Sequence, residues 1–206
     1  MSENIMIYRK QSIFAGDGDM YKQCTTEETA LRQRQIEECL MENMRRHTFQ
    51  EISVSDLCKQ LDISRNLFYR YYSSKEDALL GMIDHAMMDY GNYELPKRDQ
   101  YAQHEIDVAR FFSYCKEKKA LMDALHRSDL HLKFLERVMY HTLEQEPGIL
   151  TRMIPFMPDC SEERLLFVVS GVVMLVLNWY RKGYDKSVLE ITRIAVQMLT
   201  VPAFEI

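Results

Sequence analysis

Glycine and proline are scarce, with 7 Gly and 5 Pro in 206 residues. A chain of many short strands needs more of both at its turns, so a sheet architecture is not expected. There is no Gly-rich phosphate loop and no His-Glu-x-x-His pair. His126 and His131 stand five apart and His141 ten beyond, spacings that do not stack metal ligands on one helical face. Neither a metal, a cofactor nor an enzymatic centre is therefore expected. Cys24, Cys39, Cys58, Cys115 and Cys160 are odd in number and form no Cys-x-x-Cys pair, which argues against a disulfide framework and for a reduced, cytoplasmic protein. Met1 to Lys10 lacks the long apolar core and cleavage pattern of a signal peptide. The longest apolar run, Leu165 to Leu177, is broken by Ser170 and Gly171 and is too short to span a bilayer, so it reads as a helix buried by protein, with no membrane partner. A net charge of −5 is not that of a protein that coats nucleic acid.

What is present is helix-forming. Hydrophobic residues make up 47% and charged residues 28%, ordinary for a globular chain rich in Leu, Met, Glu and Gln. An all-α fold follows. Residues 1–23 lack periodicity and read as an N-terminal arm. Thr25 and Glu28 form a capping-box pattern for a first helix running to about Arg46, with Leu31, Ile36, Cys39, Leu40 and Met44 inward. Ser74 opens a helix that Gly91 and Pro96 end. Further helices are expected over Gln100 to Lys118, Lys119 to Arg127, from an N-cap at Ser128 to about Gln145, from Ser161 to Arg181, and from Ser187 to about Thr200.

The segment Ser53 to Lys75, SVSDLCKQLDISRNLFYRYYSSK, carries the strongest signal. Ser53 is a good N-cap, with Asp56 at the positive helix end. Val54, Leu57, Cys58 and Leu61 recur at helical spacing, Leu61-Asp62-Ile63 reads as a tight turn, and Ser64 caps a second short helix, Arg65 to Tyr71. Two helices of about two turns joined by about three residues are the geometry that lays the second in a major groove. Leu67 or Phe68 points inward, which leaves Arg65, Asn66, Tyr69 and Arg70 as groove or phosphate contacts. Between Arg45 and Lys75 there are six basic residues against three acidic ones, a small basic face on an acidic body.

Val54, Asp56, Leu57, Ile63, Ser64, Phe68, Tyr69, Tyr71, Tyr72, Lys75, Glu76 and Leu79 together resemble the TetR/AcrR family of one-component transcriptional regulators, over about Glu27 to Leu80. The resemblance implies a three-helix helix-turn-helix DNA-binding domain over 24–73 and a larger helical effector-binding and dimerisation domain over 74–206. It implies that aromatic residues after the second reading helix wedge it in place, and that Lys75 touches phosphate. The contacts expected on a double-stranded operator are Arg65, Asn66, Tyr69 and Tyr71 toward bases or adjacent backbone, and Ser53, Ser64, Arg70 and Lys75 at the backbone. The chain departs from the family where Asn66 and Leu67 replace the usual Gly and Thr or Ser, where Asp62 replaces the turn Gly, and where Thr48 replaces another Gly. Asn66 can pair with adenine, and Asp62 can adopt left-handed angles. We read the departures as altered site preference. The competing reading is an interaction module that binds a protein partner, with DNA reading altered or lost.

The last two helices are apolar on broad faces. Leu166, Val169, Val173, Val176, Leu177 and Tyr180 on the first, with Ile191, Ile194 and Met198 on the second, are expected at a homodimer interface, since a helix apolar all round must be buried all round. The run GVVMLVLNWYRKG resembles the corresponding segment in a subgroup that includes regulators of dihydroxyacetone utilisation, and a four-helix dimer interface is what the resemblance implies. A dimer implies a palindromic operator. An effector pocket for a small apolar or amphipathic molecule is expected among Tyr90, Phe111, Tyr114, Met122, His126, Phe134, Arg137, Met139, His141, Phe156 and Asn178. Repression is the default sign that the resemblance implies.

Overall fold

The computed structural model describes residues 26–140 and 162–200, and structural statements below refer to these residues. The expected arm over 1–23 and the pocket candidates His141 and Phe156 lie outside them.

The chain is all-α, with nine α-helices and no strand among the described residues. They are α1 (Glu27–Met44), α2 (Val54–Gln60), α3 (Arg65–Tyr71), α4 (Lys75–Gly91), α5 (Ile106–Glu117), α6 (Lys119–Arg127), α7 (His131–Tyr140), α8 (Glu162–Arg181) and α9 (Val188–Thr200). Side-chain caps set most of the starts. Thr26, one residue after the expected Thr25, caps α1 and exchanges capping-box bonds with Thr29 in place of Glu28. Ser53, Ser64 and Ser74 each accept the backbone N–H three residues on, and so fix the entries of α2, α3 and α4. Ser187 does the same for Glu190, ahead of α9.

Two further boundaries differ from expectation. The segment from Arg98 to Glu105 forms two 3-10 turns, so α5 starts at Ile106 and not near Gln100. Ser128 does not cap α7. It is buried and bound to another part of the chain, and α7 starts three residues later, after Asp129 with a φ of 54°. Asp62 takes the left-handed turn position expected of it, with a φ of 51°. On α1, Leu31 is 59% exposed, and the inward face carries Gln33 and Glu37 beside Ile36, Leu40 and Met44.

One apolar cluster runs without a break from Ile36 in α1 to Val196 in α9. Helix α1 packs on α2, α4 and α6; α4 also meets α7; and α5 lies among α6, α8 and α9. The first three helices therefore rest on the later ones through α1 and α4. Trp179 is buried against Phe112 and Tyr184, and its indole N–H donates to the Lys186 carbonyl, which pins the turn before α9.

Helix α8 is longer than its apolar run suggested. Over Glu163–Arg181 it is long and apolar enough, by length and composition alone, to cross a membrane. The helix is two-sided. Val168, Val169, Val173, Val176 and Leu177 are buried against the other helices, and Phe167, Gly171, Met174 and Asn178 are exposed.

Candidate nucleic-acid interface

Phe68 holds α3 in position. It is fully buried, a placement that stabilises by about 1.5–3 kcal/mol, and it is packed by Tyr69 and Tyr72. With Phe68 inward, Ser64, Arg65, Asn66, Tyr69 and Arg70 are exposed on one outer surface, and Tyr71 is half-buried. Arg65 reaches one turn along to the Tyr69 hydroxyl at 3.4 Å, with its guanidinium 5.9 Å from the ring centre. Tyr69 is 42% exposed. The result is a planar cation and a phenol side by side at the head of a capped helix, flanked by the Asn66 amide.

Several backbone-contact candidates already have partners within the chain. The Ser53 hydroxyl accepts the Asp56 N–H at 3.1 Å and donates to the Asp56 carboxylate at 2.5 Å. The Ser64 hydroxyl accepts the Leu67 N–H at 3.1 Å. Lys75 is half-buried, and its ammonium donates to the Phe49 and Ile52 carbonyls at 2.8 Å each and to the Gln50 carbonyl at 3.3 Å. It also lies 4.6 Å from the centre of the Phe49 ring. Its position is that of a cap on the 3-10 turn Phe49–Glu51, the lead-in to α2. The sequence reading gave Lys75 a phosphate, and it did not anticipate this cap.

Behind α3 lies a buried polar cluster that sequence reasoning missed. Glu37 of α1 accepts the Tyr72 hydroxyl and contacts His85 Nδ1 of α4 at 2.7 and 2.8 Å. Gly81 makes room for it. A Cβ there would stand 2.9 Å from both Tyr72 Cε1 and its hydroxyl, and 3.3 Å from Glu37 Oε1. The cluster ties the exit of α3 to α1 and α4. The only sequence sign was a glycine at a mid-helix position, where it lowers helix propensity.

A second joint links the reading helices to the body. The Phe49 N–H donates to Ser128 Oγ at 2.9 Å, and Gln50 Nε2 donates to the Ser128 carbonyl at 3.2 Å. The turn that Lys75 caps is thus gripped from the other side by the turn between α6 and α7.

In the body, α4, α5, α7, α8 and α9 line a narrow apolar cleft whose free volume is about 20 Å³, room for about one water molecule as it stands. Met87 and Tyr90 of α4, Val108 and Phe111 of α5, and Val138 of α7 form one side. Val168, Val169, Val172 and Val173 of α8, with Leu199 of α9, form the other. Of the expected pocket residues, Tyr90 and Phe111 line it. Met122, Phe134 and Met139 are buried elsewhere in the core, and Tyr114 donates its hydroxyl to the Ala86 carbonyl. Arg137 forms a buried two-point ion pair with Asp84 of α4. Asn178 and His126 are exposed. A reading based on aromatic and polar content passed over the valines of α8, which turn inward to this cleft. Burial pushes the Tyr90 and Tyr114 phenols up from their ordinary range, and the Cys115 thiol up to about 12. Burial, with His126 and Arg181 nearby, pulls the His131 imidazole down.

Val169, Val173, Val176, Leu177 and Ile191, expected between subunits, belong to this chain's own core. Leu166, Tyr180 and Ile194 are half-buried. The outer apolar surface of the last two helices is carried by Phe167 (80% exposed), Met174 (52%) and Met198 (68%). Gly171, set between Phe167 and Met174 on α8, has nothing within 4 Å of where its Cβ would be.

No family model and no curated protein matches the sequence. A solved structure does resemble the fold: the fatty acid degradation regulator FadR from Bacillus halodurans, with a TM-score of 0.56 over 84% of this chain and 96% of that one, at 14% identity. That is a likeness of fold, at an identity too low to carry more.

Proposed function

We propose that the protein is a ligand-responsive transcriptional regulator that binds a palindromic DNA operator as a homodimer, with repression as its default action. The observation that carries the reading is the outer face of α3, where Arg65, Asn66, Tyr69 and Arg70 project from a short helix held by the Ser64 cap and the Phe68 anchor. Arginine paired to guanine and asparagine paired to adenine are the side-chain choices that read a major groove. The fold likeness to a regulator of fatty acid degradation is compatible with this. Residues 24–73 form the DNA-binding unit in this reading, and 74–206 the effector-binding and dimerisation unit.

The dimer is supported by the exposed Phe167, Met174 and Met198 surface, which Gly171 leaves open to a second helix. Two reading heads on a two-fold axis then meet half-sites one helical turn apart, or a multiple of it. The effector class that suits the cleft is an apolar chain, since every lining side chain except the Tyr90 phenol is hydrocarbon or thioether. A ligand entering between α4 and α8 can change the spacing of the heads only if it binds their two arrangements unequally. Selection from random duplex DNA by the purified chain tests the reading. An enriched palindrome supports it, and an unenriched pool with no non-specific binding contradicts it.

A further inference from the structure

The turn that grips the reading helices is flanked by two histidines. His126 lies in the last turn of α6 and His131 begins α7, and between them Ser128 holds Phe49 and Gln50. A five-residue spacing separates two side chains on a continuous helix. Here the helix is interrupted at Asp129, where the backbone turns left-handed, and the rings meet: His126 Nδ1 and His131 Nε2 are 3.2 Å apart, with ring centres 5.1 Å apart. We propose that His126 and His131 form a binding site for a divalent transition-metal ion of the zinc, nickel or copper type.

The geometry supports this in three ways. Two nitrogens each about 2.0–2.1 Å from a tetrahedral zinc stand about 3.3–3.4 Å apart, close to the spacing found. The second nitrogen of His131, Nδ1, lies 3.8 Å from the exposed Asp129 carboxylate, which sets a negative charge beside the ligating ring. The site is also accessible: His126 is exposed, and its ring is steadied edge-on by Tyr180 at 5.5 Å. On binding, the ring proton that lies between the two nitrogens exchanges through solvent onto the far nitrogen of its own ring, so both imidazoles stay neutral and each facing nitrogen gives its lone pair to the ion. Among the described residues no cluster of three or more metal-ligating side chains is found, so water completes the shell.

The ion would close a ring across residues 126–131 and stiffen the turn that carries Ser128. The effect on DNA rests on the regulator reading above; the binding itself does not. The test is a calorimetric titration of the tag-free full chain with zinc chloride, repeated on His126→Ala and His131→Ala, each checked for native helicity. Gln replaces Ala where a variant misfolds. The expected result is stoichiometric zinc uptake by the wild type and loss in both histidine variants. No uptake by the wild type, or uptake that survives removal of either histidine, overturns the proposal. Neither outcome depends on DNA, so a failure of operator binding is scored separately.

Discussion

Replacing Gly81 with Ala should destabilise the protein, although the same change in an ordinary helix stabilises it. Alanine is favoured over glycine inside a helix by about 0.8–1.0 kcal/mol. At this position the new methyl would stand 2.9 Å from two atoms of Tyr72. Tyr72 has no room to yield, because it is 1% exposed, packed on Phe68, and bound through its hydroxyl to Glu37. Forcing a methyl into a packed site costs about 1–3 kcal/mol. Breaking the hydrogen bond to the carboxylate adds about 1.5–3 kcal/mol. The net is a loss of about 1.5–5 kcal/mol, and at about 2–4 °C per kcal/mol for a chain of this size the Tm falls by several degrees. Urea unfolding followed by circular dichroism reads it. In a Tyr72→Phe background the clash is smaller and the hydrogen bond already gone, so the Gly81→Ala penalty should shrink, which a double-mutant cycle measures. A Gly81→Ala protein more stable than wild type would refute the packing argument.

Three further outcomes follow from the structure. Arg137→Met removes the two-point guanidinium contact from the buried Asp84 carboxylate and should cost about 3–5 kcal/mol in urea unfolding, while Asp84→Leu combined with Arg137→Met should recover much of it; equal loss in single and double variants would contradict a specific pair. Phe167→Glu should convert dimers to monomers in sedimentation without loss of helicity, since the side chain is exposed in the subunit; an unchanged dimer would place the interface elsewhere. The Cys115 thiol, shifted from 9.0 to about 12 by burial, keeps its proton in the folded state at pH values where the unfolded chain gives it up. Its contribution is complete below pH 9 and is lost as pH rises toward 12, so stability should decline over that window, with a shallower decline in Cys115→Ala; identical profiles would refute it.

The helices of the reading unit were legible because their signals are local. Ser53, Ser64 and Ser74 are caps that need only the next three residues, and Asp62 is a turn residue in a turn. Periodicity left Leu67 or Phe68 as the inward residue, and the structure buries Phe68. What escaped the sequence depends on distant partners. Lys75 looks like a free cation until the carbonyls of Phe49, Gln50 and Ile52 are seen around it. Ser128 looks like an N-cap until Phe49 is found bound to it. The valines of α8 were assigned to a second subunit because a helix apolar all round gives no direction, and only packing against α5 and α7 separates Val173 from Phe167. Arg137 was read as a ligand-orienting group, and its partner Asp84 lies 53 residues earlier in the chain, beyond the reach of any local pattern.

The most direct test of the central claim is the affinity of an Arg65→Ala, Asn66→Ala protein for the duplex enriched from random DNA, beside wild type, by fluorescence anisotropy at fixed salt. Both side chains are exposed, so the fold should survive. At about 1–3 kcal/mol for each base contact, specific affinity should fall by at least about tenfold, with non-specific binding retained. Unchanged specific affinity in a folded variant would mean that α3 does not read the operator.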